Sequence, residues 1–471
     1  VLPAATAAET VAPSAPKAPV SITLKDAFKD IFYVGVALNP GQFSGTNAQG
    51  AALVAREFNC ITAENAMKWD ALEPQNGQFR FEQADQFVEF GLKNNMFIIG
   101  HNLCWHSQLP AWVSQPEPGE TALTKEVLMA RLKRHIMTVA GHYKGKVKGW
   151  DVVNEAINDG EGDYRQSVFY RVIGKEFLAM AFKWAHEADP DAELYYNDYN
   201  LDANDKKRAT AIELVKYLRE QGAVIHGIGM QCHYNMEGPS IAKIDETIGR
   251  FAELGLKIHV TELDVRANAG ANAVLTGAVG AAAGGANGAP PAQGARGPGP
   301  GGGRGGRGPI TPGRLFPPLD VVKTALLLTD AQAASVASLL DADAQTIEAA
   351  GGDQQKLIEA RNATVAAIRK LLDDSQQSRF TLLLNPPAGG GRAPAGPPPP
   401  LTEAQQQALA RRYGEIFEVF LKHKAVARVT FWGLRDADSW RRQNSPLIFN
   451  DAYDRKPAYD AIIAAVATAR K

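Results

Sequence analysis

Two short runs each end a β-like segment on a glutamate: Trp150-Asp151-Val152-Val153-Asn154-Glu155-Ala156, and His259-Val260-Thr261-Glu262-Leu263-Asp264-Val265. Two carboxyl groups facing one cleft are what cleavage of a glycosidic bond requires. One protonates the leaving oxygen while the other attacks the anomeric carbon or activates water. For a retaining reaction the two must stand ~5–5.5 Å apart. A single glutamate at a strand end says little, because it can simply pair with a neighbouring Arg or Lys. Two such glutamates, both followed by further polar residues, point to chemistry.

The elements that must position them alternate. Short β runs are expected near residues 31–38, 59–64, 96–104, 147–153, 193–198, 225–232, 257–263 and 427–432. Amphipathic helical patterns lie between them, for example over 122–142, 168–187, 203–220 and 402–423. Eight strands alternating with helices predict an α/β fold, a closed (β/α)8 TIM barrel. An open doubly wound sheet is the alternative, but no Gly fingerprint for phosphate follows the first strand. In a barrel the strand ends and the loops after them form the active face, so Glu155 and Glu262 would meet at one mouth.

The chain has 471 residues, 50 Lys+Arg against 51 Asp+Glu, 45% hydrophobic and 21% charged residues. That composition belongs to a globular protein with a sizeable core and no surplus charge for nucleic acid, so no nucleic-acid partner is expected. No apolar run is long enough for a membrane span. Cys60, Cys104 and Cys232 have neither a disulfide framework nor zinc-site spacing and read as small core residues. Residues 1–20, almost all Ala, Pro, Val, Thr and Ser, read as a flexible leader. We take it as the remnant of an export signal, which predicts a secreted protein, extracellular or periplasmic.

One stretch breaks the alternation. From Ala281 to Ile310, 17 of 30 residues are Gly or Pro, and a second such stretch runs from Pro386 to Pro400. Neither can offset its backbone entropy by burial, so both read as disordered linkers. The Gly303–Gly308 run resembles arginine–glycine RNA-binding tails but is too short to outweigh a solvated linker. The expected organisation is leader 1–20, barrel strands 1–7 over 21–266, an insertion over 267–400, and the remaining barrel elements over 401–471. Within the insertion, linkers 267–317 and 385–400 flank an α-helical hairpin, 318–384. Thr329 and Gln332 form a capping box there. Val336, Leu339, Leu340 and Ile347 line one helix, and Leu357, Ile358, Val365, Ile368, Leu371 and Leu372 the other. Leu328-Thr329-Asp330-Ala331-Gln332, with the looser Leu372-Asp373-Asp374-Ser375-Gln376, looks like the Leu-Thr-x-x-Gln signature of small helical envelope-stress proteins, though capping alone produces the same pattern. Trp, Tyr, His and Cys are absent from Asn268 to Pro400, so the insertion is expected to be structural or regulatory, with an unidentified protein as its partner.

The barrel portion, about 20–266 and 401–470, resembles glycoside hydrolase family 10, the endo-1,4-β-xylanases. Ile61 to Trp69, Gly100 to His106, Trp150 to Ala156, Leu194 to Asn200, Gly227 to His233, Thr261 to Asp264, and Thr430 to Leu434 with Ser439-Trp440 are similar to the family's motifs, in the family's order. The resemblance implies a retaining endo-1,4-β-xylanase acting on xylan and xylo-oligosaccharides, with no cofactor and no metal. Glu155 would be the general acid/base and Glu262 the nucleophile. Asn154, His233 and Asp264 would support them, with His233 on the nucleophile and Asn154 on the sugar 2-hydroxyl. Glu64, Asn65, Lys68, His101, Trp105 and Gln108 would form the glycone-side subsite, joined by Tyr199 and Gln231. Trp432 and Trp440 would stack on pyranose rings and limit room for a hydroxymethyl group. Two alternatives stand beside this reading: a related glycosidase on β-1,4-glucan or aryl glycosides, and a catalytically vestigial glycan-binding or envelope-interaction protein. The insertion falls in the seventh βα loop, where the family does not require one.

Overall fold

The computed structural model describes residues 22–116, 119, 122–267, 319–326, 328–350, 363–372, 376 and 400–470. The chain divides into two compact units, residues 1–267 with 397–471, and residues 268–396. The leader 1–20 and nearly all of both expected linkers lie outside the described residues.

The first unit is built on eight parallel strands: β1 (Tyr33–Leu38), β2 (Cys60–Ala63), β3 (Phe97–Trp105), β4 (Gly149–Asn154), β5 (Glu193–Asp198), β6 (Gly227–Met230), β7 (Lys257–Arg266) and β8 (Val426–Phe431). Each pairs with the next, and β8 returns to β1 with Tyr33 opposite Arg428 and Val36 opposite Phe431. The sheet is therefore a closed (β/α)8 barrel, which leaves no open edge. Both faces of the strands are covered, which is why they are apolar runs without alternation: β2 and β4 are buried along their whole length.

The surrounding helices start where small polar residues satisfy the first free N–H groups. Thr124 caps Lys125–His142, Asn204 caps Asp205–Glu220, and Thr402 with Gln405 forms a capping box on Glu403–Lys422. Each turns an apolar stripe inward, with Leu214 and Phe417 fully buried. Burial of such a side chain contributes ~1.5–3 kcal/mol. Trp69 and Trp184 are core residues, and Trp69 stacks on His135 with ring centres 3.8 Å apart. All three cysteines are buried and free.

Two elements differ from the sequence pattern. The helix expected over 168–187 is two, Val168–Ile173 and Glu176–Ala188. Gly174 separates them at φ +89, a conformation only glycine adopts without strain. The strand expected over 225–232 stops at Met230, and Cys232 adopts φ +59. The chain then resumes as a short strand, His233–Asn235, paired with Asp264–Arg266 at the outer end of β7. That break swings His233 toward the barrel mouth.

The second unit has its own small core. Helices Leu319–Leu326 and Asp330–Ala350 and a helical stretch over 363–369 bury Val322, Leu326, Leu328, Val336, Ile368 and Leu372 together. The first of these helices lies within the bounds expected for the hairpin, as an additional helix before the capping box. The capping box forms: Gln332 N–H donates to Thr329 Oγ1 at 3.3 Å, and Thr329 N–H to Gln332 Oε1 at 3.0 Å. Gln332 also bonds reciprocally with Gln376, at 2.9 and 3.1 Å. Leu357 and Ile358 lie outside the described residues. Among the described residues no helix is long and apolar enough to cross a membrane.

Candidate active site

The strand ends of the barrel surround a cavity of about 560 Å³. Glu155, directly after β4, and Glu262, inside β7, both line it, as do Asn154, His233, Tyr199 and Gln231. Glu64, Asn65, Lys68, His101, Trp105 and Gln108 line it as well, with Trp432 and Trp440 after β8. Asp264 does not line the cavity. It lies fully buried behind the wall and reaches the site through its partners.

Glu262 is held on both oxygens. Asn197 Nδ2 donates to Oε1 at 2.9 Å, and His233 Nε2 meets Oε2 at 3.1 Å. Burial opposes ionisation of Glu262, but the hydrogen bond and charge of His233, with help from His101 and Asn197, hold it below the usual carboxylate range. His233 is itself pushed up to about 9: burial works against its charge, and Asp264 and Glu262 overcome it. The other ring nitrogen, Nδ1, lies 3.1 Å from Asp264 Oδ2, an ion-pair approach without aligned hydrogen-bond geometry. Asp264 also accepts from Trp440 Nε1 at 2.9 Å and Arg441 Nη1 at 2.7 Å. Despite burial, His233 and Arg441 keep it ionised below its ordinary range. At neutral pH the result is an anionic Glu262 backed by a cationic histidine.

Glu155 is held differently. Its Oε2 accepts from Trp105 Nε1 at 2.9 Å and its Oε1 from Gln231 Nε2 at 3.0 Å. Its backbone sits at φ +56, a left-handed conformation that costs a non-glycine residue about 1–2 kcal/mol. Several bonds fix this turn. Glu155 N–H donates to Asn197 O at 2.9 Å, and Arg165 Nε donates to the Glu155 carbonyl at 2.9 Å. The next amide, Ala156 N–H, donates to Tyr196 Oη at 3.1 Å, and that hydroxyl donates to Asp198. Asp198 is pushed up to about 6 by burial, opposed by Lys207, whose Nζ stands 2.9 Å away, and assisted by the charge of Glu155.

Asn197 links the two carboxylates. Its Nδ2 donates to Glu262 and, at 2.9 Å, to Asn154 Oδ1, while Asn154 Nδ2 reaches Glu155 Oε1 at 3.4 Å. Thr261 Oγ1 donates to the side-chain oxygen of Asn197, Oδ1, at 2.7 Å. Gly229 on β6 makes room: a Cβ there would stand 2.3 Å from Asn197 Oδ1.

At a second cluster of the cavity, Lys68 Nζ donates to Gln108 Oε1 at 2.7 Å and Asn65 Oδ1 at 2.9 Å. Burial lowers Lys68, countered by the charges of Glu262 and Glu64, and raises Glu64, countered by the charge of Lys68. His101 Nδ1 is 2.8 Å from Asp151 Oδ2, and Trp432 packs edge-on to His101 and His233. Trp440 remains 59% exposed, a face open to solvent. Among the described residues no group of three or more His, Cys, Asp or Glu is placed to hold a metal ion.

Glycosyl hydrolase family 10 is the family whose sequence profile matches, over residues 23–283 and 390–465. The chain belongs to glycosyl hydrolase family 10. It is 44% identical over 247 residues to a β-1,4-xylanase of Dictyoglomus thermophilum, covering 52% of this chain and 66% of that protein. For an endo-1,4-β-xylanase A of a Caldicellulosiruptor strain, also 44% identical, the match covers 52% of this chain and only 36% of the relative. The chain thus spans between about a third and two thirds of these curated relatives. Among solved structures, a GH10 endoxylanase from a sugarcane soil metagenome aligns with a TM-score of 0.64 at 31% identity, over 94% of this chain and 99% of that one.

Reading the sequence did not single out Asn197, Asn200, Arg165 or Arg266 as site residues, nor assign Arg441 a role. Asn197 and Asn200 lie inside the quoted Leu194 to Asn200 run, and alternation from β5 places Asn197 inward. Arg266 is four residues past Glu262 on the same strand, so a period of two would have reached it. Nothing in the spacing of Arg165 announces its bond to Glu155.

Proposed function

We propose that this family 10 protein is a retaining endo-1,4-β-xylanase. The observation that carries the reading is the hydrogen-bonded chain Glu262–Asn197–Asn154–Glu155 around one cavity. Glu155 hands its proton to the glycosidic oxygen as Glu262, ionised and oriented by His233 and Asn197, attacks the anomeric carbon. The C–O bond to the leaving chain breaks and a glycosyl ester of Glu262 forms. Glu155, now a carboxylate, takes a proton from water. The water oxygen bonds to the same carbon from the vacated side and releases Glu262. Each step inverts that carbon, so the product keeps the β configuration. Asn154, which lines the cavity, would donate from Nδ2 to the sugar 2-hydroxyl, a hydrogen bond that strengthens as charge develops on the ring. Lys68, Gln108, Asn65 and Glu64 offer the hydroxyls of a bound xylose several partners, and a sugar lacking them would leave these groups unpaired.

The test is product analysis on β-1,4-xylan beside carboxymethyl cellulose. Short xylo-oligosaccharides from xylan, little release from cellulose, and activity reduced roughly 10³-fold or more in Glu155→Ala are expected. Preferential cleavage of the cellulose derivative would replace the xylanase reading with the glucanase one.

A further inference from the structure

Glu262, Asp264 and Arg266 occupy alternate positions of β7, so their side chains leave the strand on one face. The strand stays paired to its end, with Asn235 opposite Arg266. At ~3.3 Å per residue, Arg266 stands roughly 13 Å along the strand from the nucleophile position. It lines the same cavity as Trp440 and Arg441, and its charge acts on that of Arg441.

The charges in this wall differ. Asp264 is answered by His233 and by Arg441 Nη1 at 2.7 Å, and the Arg441 guanidinium lies 4.4 Å from the centre of the Trp440 ring. Arg266 has no such answer. Its Nε is buried with no hydrogen-bond partner, and no carboxylate among the described residues pairs with its guanidinium. A partly desolvated guanidinium is costly unless an anion or several acceptors meet it. Its planar fork suits a carboxylate, which accepts two parallel N–H bonds.

We propose that Arg266 marks a subsite for an anionic branch on the substrate: the carboxylate of a uronic acid attached to the xylan backbone, bound at the Trp440 end of the cleft. This rests on the xylanase reading. Neutral pentose branches would meet the same arginine with hydroxyls alone and lack the charge.

The experiment compares kcat/KM on xylo-oligosaccharides of one length: linear, carrying one arabinose, or carrying one glucuronic acid. Wild type, Arg266→Gln and Arg266→Lys are each assayed at low and high NaCl. The ratio of acidic to linear rates is expected to fall about tenfold in Arg266→Gln, as for loss of one charge-assisted bond. Arg266→Lys restores part of it, and salt lowers the ratio in wild type but not in Arg266→Gln. The arabinose ratio should not follow. Should Arg266→Gln not fold, the salt dependence of the wild-type ratio and the Lys variant decide the matter. An acidic-to-linear ratio equal in wild type and variant and indifferent to salt, with linear substrate still cleaved, overturns the subsite alone. No cleavage of any of the three overturns the xylanase reading, and the subsite with it.

Discussion

At the strand ends of the barrel the buried groups are polar and bound to one another: Glu262, Asp264, Asn197, Asn154 and Asp198 are each 5% exposed or less. In the unit over 268–396 the buried described residues are mainly aliphatic, with Leu326, Val336 and Ile368 fully covered, and the polar contacts of its described residues include a helix cap, the pair Gln332–Gln376 and the ion pair Lys323–Asp330. Burying a carboxylate opposes folding unless charges and hydrogen bonds offset it. A core that accepts this burden at one place is organised for more than packing. Among the described residues the aliphatic unit buries no carboxylate, and its core contacts serve its own stability.

The contrast breaks most sharply at Glu262. Glu262→Ala should lower turnover roughly 10⁴-fold or more while xylo-oligosaccharide binding stays measurable by calorimetry. Residual activity near wild type would mean that the buried anion is structural after all. His233→Asn is expected to cost roughly 10–100-fold in kcat/KM, the value of a charge-assisted hydrogen bond. It should also move the acid limb of the pH profile upward, because Glu262 loses the partner that keeps it ionised. The same pair sets a stability signature. The pKa of His233 is raised to about 9 in the folded protein, above its unfolded value of ~6.5. Its contribution is therefore complete below about pH 6.5 and lost as pH rises through about 9. Melting temperatures of wild type and His233→Asn should converge across that window.

Smaller effects test the support and the second unit. Arg165→Leu removes the bond to the Glu155 carbonyl and should reduce kcat about tenfold with little change in KM, since it loosens the left-handed turn rather than a sugar contact. An equal rise in KM would move Arg165 into substrate binding. In the second unit, Leu326→Ala should destabilise that unit by ~2–4 kcal/mol, seen as faster local hydrogen exchange, and leave xylan hydrolysis unchanged. A comparable fall in hydrolysis would end the separation of roles.

The barrel was legible because a buried parallel strand advertises itself as an apolar run that ends in polar residues, as at Val152-Val153-Asn154-Glu155. Both carboxylates, the histidine and the tryptophans were readable there, largely through the motifs resembling family 10. What the sequence hid depended on backbone conformation or on distant neighbours. Cys232 at φ +59 breaks the sixth strand and brings His233 round, yet nothing in a Gln-Cys-His run signals it. Gly174 interrupts a helix whose apolar spacing continues past it. Arg428, fully buried on β8 near the ring of Tyr195, reads in sequence as an exposed strand residue. Leu319–Leu326 went unread as a separate helix because it is short and directly follows Pro317-Pro318.

The central claim is that Glu262 attacks the sugar and Glu155 serves it twice. Proton NMR of the first products released from a linear xylo-oligosaccharide by the wild-type protein tests it most directly, because the anomeric signal is recorded before mutarotation. Double displacement predicts the β anomer first, with the α anomer growing in only at the spontaneous rate. Initial appearance of the α anomer would mean a single displacement by water, and would contradict the role given to Glu262.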